Sequence, residues 1–375
     1  MQRSGSGDGT GCTSGDRRGQ SRHCFNNSSS GGRKRSKHLG INDPSRERFE
    51  AALSLKKHDR VPIIEFIMDP VNLEILIERK PTKEQPVTLE EVRELSCRLG
   101  FDLLATGGTG PFYTFPEPSS EGRYKVGGLQ SRDDVERTAG PDNIRDLIEG
   151  AKQTISFAAE RDMGTYVFFF APFTSVYCGM GIDRFWMTMY DDPELIEQAF
   201  DKANEYAMQV MAALSELDIT MMLIADDVAD NHGLLIQPNA FRDLWMPRMR
   251  KLVAPAIAKG IPIMVHTCGN GTDLLPLADE LGITAIEPLQ PTCNDIYQIK
   301  KDYGDRFCIL GNIDIAGVLA FGTPEEVRED VRVHIDRLAG NGGYVVHSSH
   351  SIVDAIPRAN FRAMVDEAKT YGRFG

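Results

Sequence analysis

Short apolar runs alternate with amphipathic helical patterns along the chain from residue 45 onward. Each run is nearly continuous in apolar residues, which is typical of parallel strands that are buried on both faces. Eight such runs predict eight strands: Val61–Ile67, Phe101–Thr106, Tyr166–Ala171, Met221–Asp226, Ile261–His266, Ile283–Glu287, Phe307–Gly311 and Gly343–His347.

Helix signals fill the intervals between these runs. Thr88-Leu-Glu-Glu91 and Thr323-Pro-Glu-Glu326 have the spacing of capping boxes, and an apolar stripe at helical spacing follows Pro193. Alternation of strands and helices predicts an α/β fold, a single closed (β/α)8 TIM barrel over residues 45–375. A doubly wound open sheet is the alternative that the same pattern allows.

Residues 1–44 differ in composition from the rest of the chain. The first 40 carry eight Lys or Arg against two Asp, many Gly and Ser, and almost no large apolar side chains. Such a segment cannot bury enough apolar surface to offset the entropy of ordering, so we predict a disordered basic tail. A transit peptide and a start codon placed too early are the alternatives.

Charge and composition exclude several classes of protein. The net charge of −12 disfavours nucleic-acid binding, because an acidic surface repels phosphate. No run of about 20 apolar residues occurs, so no membrane span is expected. Seven cysteines, spread irregularly over 375 residues, are typical of reduced thiols in the cytoplasm. We therefore expect a cytoplasmic protein with a small-molecule substrate, and we leave a homodimer open.

Polar residues stand at the carboxyl ends of the predicted strands, the end that carries the active site of a barrel. His266 and Cys268 are two residues apart, so both side chains point to one side of an extended backbone. Imidazole and thiolate are zinc ligands, and catalytic zinc sites use three protein ligands. We predict a Zn²⁺ site with His350 as third ligand and Glu65 as fourth. In the alternative, His266 lines the site through hydrogen bonds and Cys268 only packs.

The other polar strand-end residues are candidates for catalysis and substrate binding. Asp226 and Asp227 are adjacent, and proximity raises carboxyl pKa values, so one of them is expected to act as a general base. The alternative is that Asp227 caps the next element while Asp226 orients a neighbour. Glu287, Asn312 and His347 are predicted to contact the substrate. A supporting role for Glu287 and an ordinary loop position for His347 are the alternatives.

Four segments resemble a known family: Asp59-Arg-Val-Pro62, Ala171-Pro-Phe-Thr-Ser-Val-Tyr177, Leu310-Gly-Asn-Ile-Asp314 and Gly343-Tyr-Val-Val-His-Ser-Ser-His-Ser-Ile352. Taken in order, they make the chain from about Arg46 onward similar to the uroporphyrinogen decarboxylase superfamily, whose fold is a single β/α barrel. The resemblance implies that Tyr177 is an active-site residue and that His350 matches a late histidine of the family.

Two departures separate the chain from true uroporphyrinogen decarboxylases. Those enzymes carry arginines after the first strand that grip the substrate's carboxylates, whereas Ile64–Asn72 has no Arg. The region of Leu104–Gly108 replaces the segment with their essential Asp. His266-Thr-Cys-Gly269 instead matches the signature of the family's zinc-dependent methyltransferases. Those relatives usually place a Cys where this chain has His350.

The resemblance implies a zinc-dependent methyltransferase that moves a methyl group between a corrinoid on a partner protein and a small thiol or oxygen compound. Asp226 or Asp227 would then handle a proton, and Tyr177 would line the pocket. A uroporphyrinogen decarboxylase-type tetrapyrrole decarboxylase is the first alternative. A zinc hydrolase or lyase with Asp227 as base, and a non-catalytic corrinoid or metal binder, are the others.

Overall fold

The computed structural model describes residues 41–66, 82, 85, 87–113, 127–140 and 143–374. Residues 1–40 of the predicted tail (residues 1–44) lie outside these ranges, so the disorder of the tail stays a prediction. Within the described ranges, no helix combines the length and the apolar character that crossing a membrane requires.

Strands and helices alternate along the chain, as the apolar pattern predicts. The strands of the described residues, numbered in chain order, are β1 (Leu103–Gly108), β2 (Gly164–Phe170), β3 (Met221–Ala225), β4 (Ala229–Asp230), β5 (Gly233–Leu234), β6 (Ile263–His266), β7 (Ala285–Glu287), β8 (Cys308–Ile313) and β9 (Tyr344–Ser348).

The helices of the described residues include both predicted capping boxes, at Thr88 and Thr323. They are α1 (Arg46–Leu53), α2 (Leu89–Leu99), α3 (Arg132–Arg137), α4 (Ile144–Ala159), α5 (Pro172–Met180), α6 (Ile182–Asp191), α7 (Pro193–Leu214), α8 (Pro238–Ala258), α9 (Leu275–Leu281), α10 (Ile296–Tyr303), α11 (Val318–Phe321), α12 (Pro324–Leu338) and α13 (Arg358–Tyr371), with a 3₁₀ turn at Thr272–Leu274.

Seven of the strands form one curled parallel sheet in the order β1-β2-β3-β6-β7-β8-β9. All six pairings are parallel, while β4 and β5 make a small separate antiparallel hairpin. The α/β class and a parallel sheet built from the later seven predicted runs are therefore confirmed.

The prediction that Val61–Ile67 forms a regular strand is wrong. Val61–Phe66 is an extended segment with a single parallel bridge, Ile63 to Val346, and Ile67 lies outside the described residues. Pro62 has no N–H, so the segment can offer only a partial ladder. It nevertheless contacts both edges of the sheet: Ile64 N donates to Val346 O at 3.3 Å, and Asp102 N donates to Ile63 O at 3.0 Å.

A buried ionic cluster holds this segment in place. Asp102, fully buried just before β1, accepts hydrogen bonds from the backbone N–H groups of Ser45 and Ile63, both at 2.9 Å. It also accepts from Arg48 at 2.6 Å and from Arg60 at 3.3 Å. One carboxylate thus joins the start of α1, the extended segment and the start of β1.

The two faces of the sheet bury different sets of apolar side chains. One face packs against the helices, and the other forms a separate cluster closed at one end by α1. Because side chains alternate along a strand, a residue two positions after a member of this second cluster lies on the same face of the sheet. At the carboxyl ends of four strands this places His266, Glu287, Asn312 and His347.

Candidate metal centre

Three side chains with metal-binding atoms converge at the carboxyl end of the sheet. The donor atoms of Asp227, His266 and Cys268 all lie within 4.8 Å of one another. His266 Nε2 is 3.7 Å from Cys268 Sγ and 3.5 Å from Asp227 Oδ1. All three residues are partly exposed, so an ion and a further ligand can reach them.

Hydrogen bonds from backbone N–H groups fix the conformation of the segment around Cys268. Cys268 N donates to Asp227 Oδ1 at 2.9 Å, and Gly269 N donates to Gln290 Oε1 at 2.6 Å. Gly269 has φ +85°, and a Cβ there would lie 2.5 Å from Asp230 O, so the close turn requires glycine. Asn294 also binds Gly269 O, through Nδ2 at 2.9 Å. Sequence reasoning missed Gln290 and Asn294, which lie in a loop with no distinctive pattern.

Glu287 lies directly behind His266. Its carboxylate, fully buried, contacts His266 Nδ1, so that nitrogen carries a proton and Nε2 faces Cys268 and Asp227. Burial acts to lower the pKa of His266, but the Glu287 and Cys268 charges outweigh it and hold that pKa well above its usual range. Glu287 thus touches a donor residue, and its predicted contact with the substrate stays a prediction.

The thiol of Cys268 is biased toward its ionised form. Burial alone would raise its pKa, but hydrogen bonds with His266 and His350 lower it. The same bond to Cys268 raises the pKa of His350, against the effect of burial. His350, the predicted third ligand, thus lies beside Cys268 but outside the compact group of three donors. Asp227, predicted as a base, occupies that group instead.

Asp226 points away from the three donors. It is fully buried, and it accepts hydrogen bonds from Thr174 N and Trp245 Nε1, both at 2.8 Å. Thr174 N belongs to the first turn of α5, whose N-cap, Ala171, has no side-chain oxygen. Asp226 therefore takes the place of a capping residue, and burial raises its pKa to about 7. A role of Asp226 as general base stays a prediction.

Tyr177 and Asn312 lie in packed surroundings. The Tyr177 ring is buried on α5, 5.7 Å from the ring of Phe173 and 6.3 Å from that of Phe185 between centroids. The Asn312 amide is fully buried and donates to the carbonyl oxygens of Pro288 and Leu289, the latter at 3.2 Å. Asn312 thus braces the turn that follows Glu287.

Glu65, predicted as a fourth metal ligand, also lies outside the three-donor group. Its two carboxylate oxygens accept from Ser348 Oγ at 2.9 Å and from Ser348 N at 3.0 Å. His347 Nε2 lies 3.2 Å from Glu65 Oε1, and His347 is fully buried. Burial raises the pKa of Glu65, although His347 and Ser348 oppose that effect. The structure places Glu65 and His347 behind the donors rather than among them.

Comparison with known proteins identifies the family. The profile of the family described as Uroporphyrinogen decarboxylase (URO-D) matches residues 119–371, which is more than half of the chain. The chain belongs to the URO-D family. The resemblance inferred from the four sequence segments is therefore confirmed.

Relatives from two branches of the URO-D family match the chain. Methylcobamide:CoM methyltransferase MtbA of Methanosarcina acetivorans is 26% identical over 189 residues, covering 50% of this chain and 53% of the relative. A uroporphyrinogen decarboxylase of Neisseria meningitidis serogroup C is 25% identical over 304 residues, covering 73% and 80%. The chain thus spans about half the length of the methyltransferases it matches, and it has enzymes among its relatives.

A solved structure with the same fold comes from the methyltransferase side. A methyltransferase from Methanosarcina mazei aligns with a TM-score of 0.67 at 19% identity, over 88% of this chain and 98% of that one. At this identity the likeness establishes the shared fold alone.

Proposed function

We propose that this URO-D family member is a zinc-dependent methyltransferase that moves a methyl group between a corrinoid and a small thiol or oxygen compound. The observation that carries the proposal is the convergence of Asp227, His266 and Cys268 within 4.8 Å at the carboxyl end of the sheet. The similarity to methylcobamide:CoM methyltransferases supports the same reaction class.

The donor set fits zinc. One imidazole nitrogen, one sulfur and one carboxylate oxygen are all zinc ligands, and three protein ligands with an open fourth position are typical of catalytic sites. The lowered pKa of Cys268 favours the thiolate, which is the form that binds metal. A zinc ion held here would supply Lewis-acid chemistry to a thiol or oxygen compound.

Residues around the donors have distinct roles in this proposal. Glu287 holds Nδ1 of His266 and so aims Nε2 at the ion. The Nδ1 atom of His350 is buried and has no hydrogen-bond partner among the described residues. Because His350 lies beside Cys268 and its contact lowers the pKa of that thiol, we assign His350 to stabilise the Cys268 thiolate. Asp226 fixes the start of α5 and takes no part in proton transfer.

The carboxyl end of the sheet, where the donors lie, suits a partner-held corrinoid. Half-exposed aromatic side chains continue the inner face of the sheet at its carboxyl end: Phe66, Phe168 and Phe170. We propose that Val61–Phe66 closes the seven-stranded sheet into a barrel and that a corrinoid protein docks at its carboxyl end. The chain contains no Asp-x-His-x-x-Gly motif of its own.

Metal content and methyl transfer test the proposal together. Purified wild-type protein is expected to hold about one zinc per chain and to transfer the methyl group of methylcobalamin to an added thiol. His266→Ala and Cys268→Ser are expected to lose both properties, whereas Cys293→Ser, a partly buried cysteine outside the donor group, keeps both. Wild-type protein without metal after growth in zinc would refute the proposal.

A tetrapyrrole decarboxylase is the second candidate. The uroporphyrinogen decarboxylase of N. meningitidis aligns over a longer stretch, 304 residues, than the methyltransferase MtbA does. Incubation with uroporphyrinogen distinguishes the two functions, since only a decarboxylase releases carbon dioxide and forms coproporphyrinogen.

A further inference from the structure

A chain of four polar residues runs from the donor His266 into the interior of the protein. Glu287 contacts His266 Nδ1 with one oxygen, and its other oxygen lies 3.5 Å from His347 Nδ1, a nitrogen whose hydrogen bond goes to Ser348 O. His347 Nε2 lies 3.2 Å from Glu65 Oε1. The side chains of Glu287, His347 and Glu65 are fully buried. Two carboxylates and two imidazoles are thus connected, and only the His266 end of the row is partly exposed to solvent.

Burying such a row of ionisable side chains costs free energy, and the contacts within it are not those of an optimised stabilising network. Buried ionisable groups lose their hydration, and only good partners offset that loss. Yet Glu287 Oε1 and His347 Nε2 lie within ion-pair distance of their neighbours without a well-aligned hydrogen bond among the described residues. His347 also separates two carboxylates that would repel each other. Stability alone therefore gives a weak reason for the arrangement.

Glu65, the last of these four residues, belongs to the extended segment Val61–Phe66, which we call the amino-terminal segment. Glu65 binds both the N–H and the hydroxyl of Ser348, at 3.0 and 2.9 Å. Phe66 O accepts from Ile352 N at 3.0 Å, and the Phe66 ring packs edge-on against His347 with centroids 4.6 Å apart. Movement of this segment would displace His347, and with it the partner of Glu287.

We propose that His347 and Glu65 are positioning residues of the metal centre. They hold the Glu287 carboxylate against His266, so metal affinity at the three donors is coupled to docking of the amino-terminal segment. Coupling of this kind is reciprocal: bound metal stabilises the docked segment as much as the docked segment strengthens metal binding. The inference rests on the metal centre of the proposed function, but not on methyl transfer.

Competition with a colorimetric chelator measures the zinc Kd of the full chain. Glu65→Leu and His347→Leu are expected to weaken zinc binding about fivefold to thirtyfold, as for residues that act through a network. Glu65→Gln keeps one acceptor oxygen for Ser348 N and an amide that can donate to His347, but its NH2 group cannot accept from Phe66 N, so it is expected to lose less zinc affinity than Glu65→Leu does. His334 is a buried histidine on α12 that is not one of the four connected residues, so His334→Leu is the matched control.

Hydrogen exchange of the amino-terminal segment supplies a second readout. Zinc is expected to slow exchange in a peptide covering residues 61–66 of the wild-type protein, and to do so much less in His347→Leu. Circular dichroism checks that each variant is folded, and the variant Glu65→Gln keeps the test meaningful if Glu65→Leu fails to fold.

The outcomes separate this inference from the proposed function. Zinc affinity in folded Glu65→Leu and His347→Leu within twofold of wild type would overturn the coupling, even where methyl transfer is observed. Weakened affinity together with zinc-dependent exchange would support it, even if no methyl transfer is found. A wild-type protein that binds no zinc would overturn both.

Discussion

Replacing Asp226 by Asn is expected to change how stability depends on pH. The Asp226 carboxyl is fully buried, and its pKa is raised from 3.8 to about 7, chiefly by burial. The folded protein therefore holds this proton more tightly than the unfolded chain does. The stability that results is fully present below about pH 4 and is lost as the pH rises through about 7.

The size of the effect follows from the shift in pKa. Each pKa unit corresponds to about 1.4 kcal/mol, so raising the pH from 5 to 8 costs the wild type about 3 kcal/mol through this group. An Asn side chain does not ionise and escapes this loss, although it accepts fewer hydrogen bonds from Thr174 and Trp245. The difference in unfolding free energy between the two proteins should therefore move by about 3 kcal/mol in favour of Asp226→Asn.

Urea unfolding at pH 5, 6, 7 and 8, followed by tryptophan fluorescence with chelator present throughout, measures this difference. Of the two tryptophans, Trp245 is buried and donates to Asp226, so part of the signal comes from the site itself. Asp201→Asn, at a carboxylate with 67% side-chain exposure, serves as the control and should follow the wild-type profile. Parallel pH profiles for wild type and Asp226→Asn would refute the reasoning.

Three further substitutions or treatments test other parts of the structure. Glu287→Gln is expected to weaken zinc binding about tenfold to a hundredfold in chelator competition, because the partner of His266 loses its charge; an unchanged Kd would contradict the role given to Glu287. Asp102→Ala should cost about 3–5 kcal/mol in urea unfolding, because two buried arginines lose their partner; a loss below about 1 kcal/mol would count against that cluster. In metal-free protein at pH 7, iodoacetamide should label Cys268 well before Cys97, since burial raises the pKa of Cys97 to about 11; equal labelling, read by mass spectrometry, would contradict this.

The sequence was sufficient for the fold class because the signals involved are local. Continuous apolar runs and capping boxes lie within a few residues of one another, and the seven later runs form the parallel sheet. The extended segment Val61–Phe66 shows where this approach fails. Its pairing depends on Val346 and Asp102, which are distant in sequence, and Pro62 limits the ladder.

The donor group was predicted only in part, for a similar reason. The spacing of His266 and Cys268 sets both side chains on one side of the backbone, and this could be derived from the sequence. Which of two adjacent carboxylates joins them depends on tertiary partners: Trp245 and the start of α5 hold Asp226 away, and Asp227 remains. Likewise, Glu65 is bound by Ser348, 283 residues further along the chain.

Zinc K-edge X-ray absorption on the purified protein tests the central claim most directly. The proposed centre requires one sulfur at about 2.3 Å and nitrogen or oxygen ligands at about 2.0–2.2 Å. Cys268→Ser should remove the sulfur shell while any remaining metal keeps the lighter ligands. A protein that contains no metal, or a sulfur shell that is unchanged in Cys268→Ser, would contradict the assignment of Asp227, His266 and Cys268 as the metal centre.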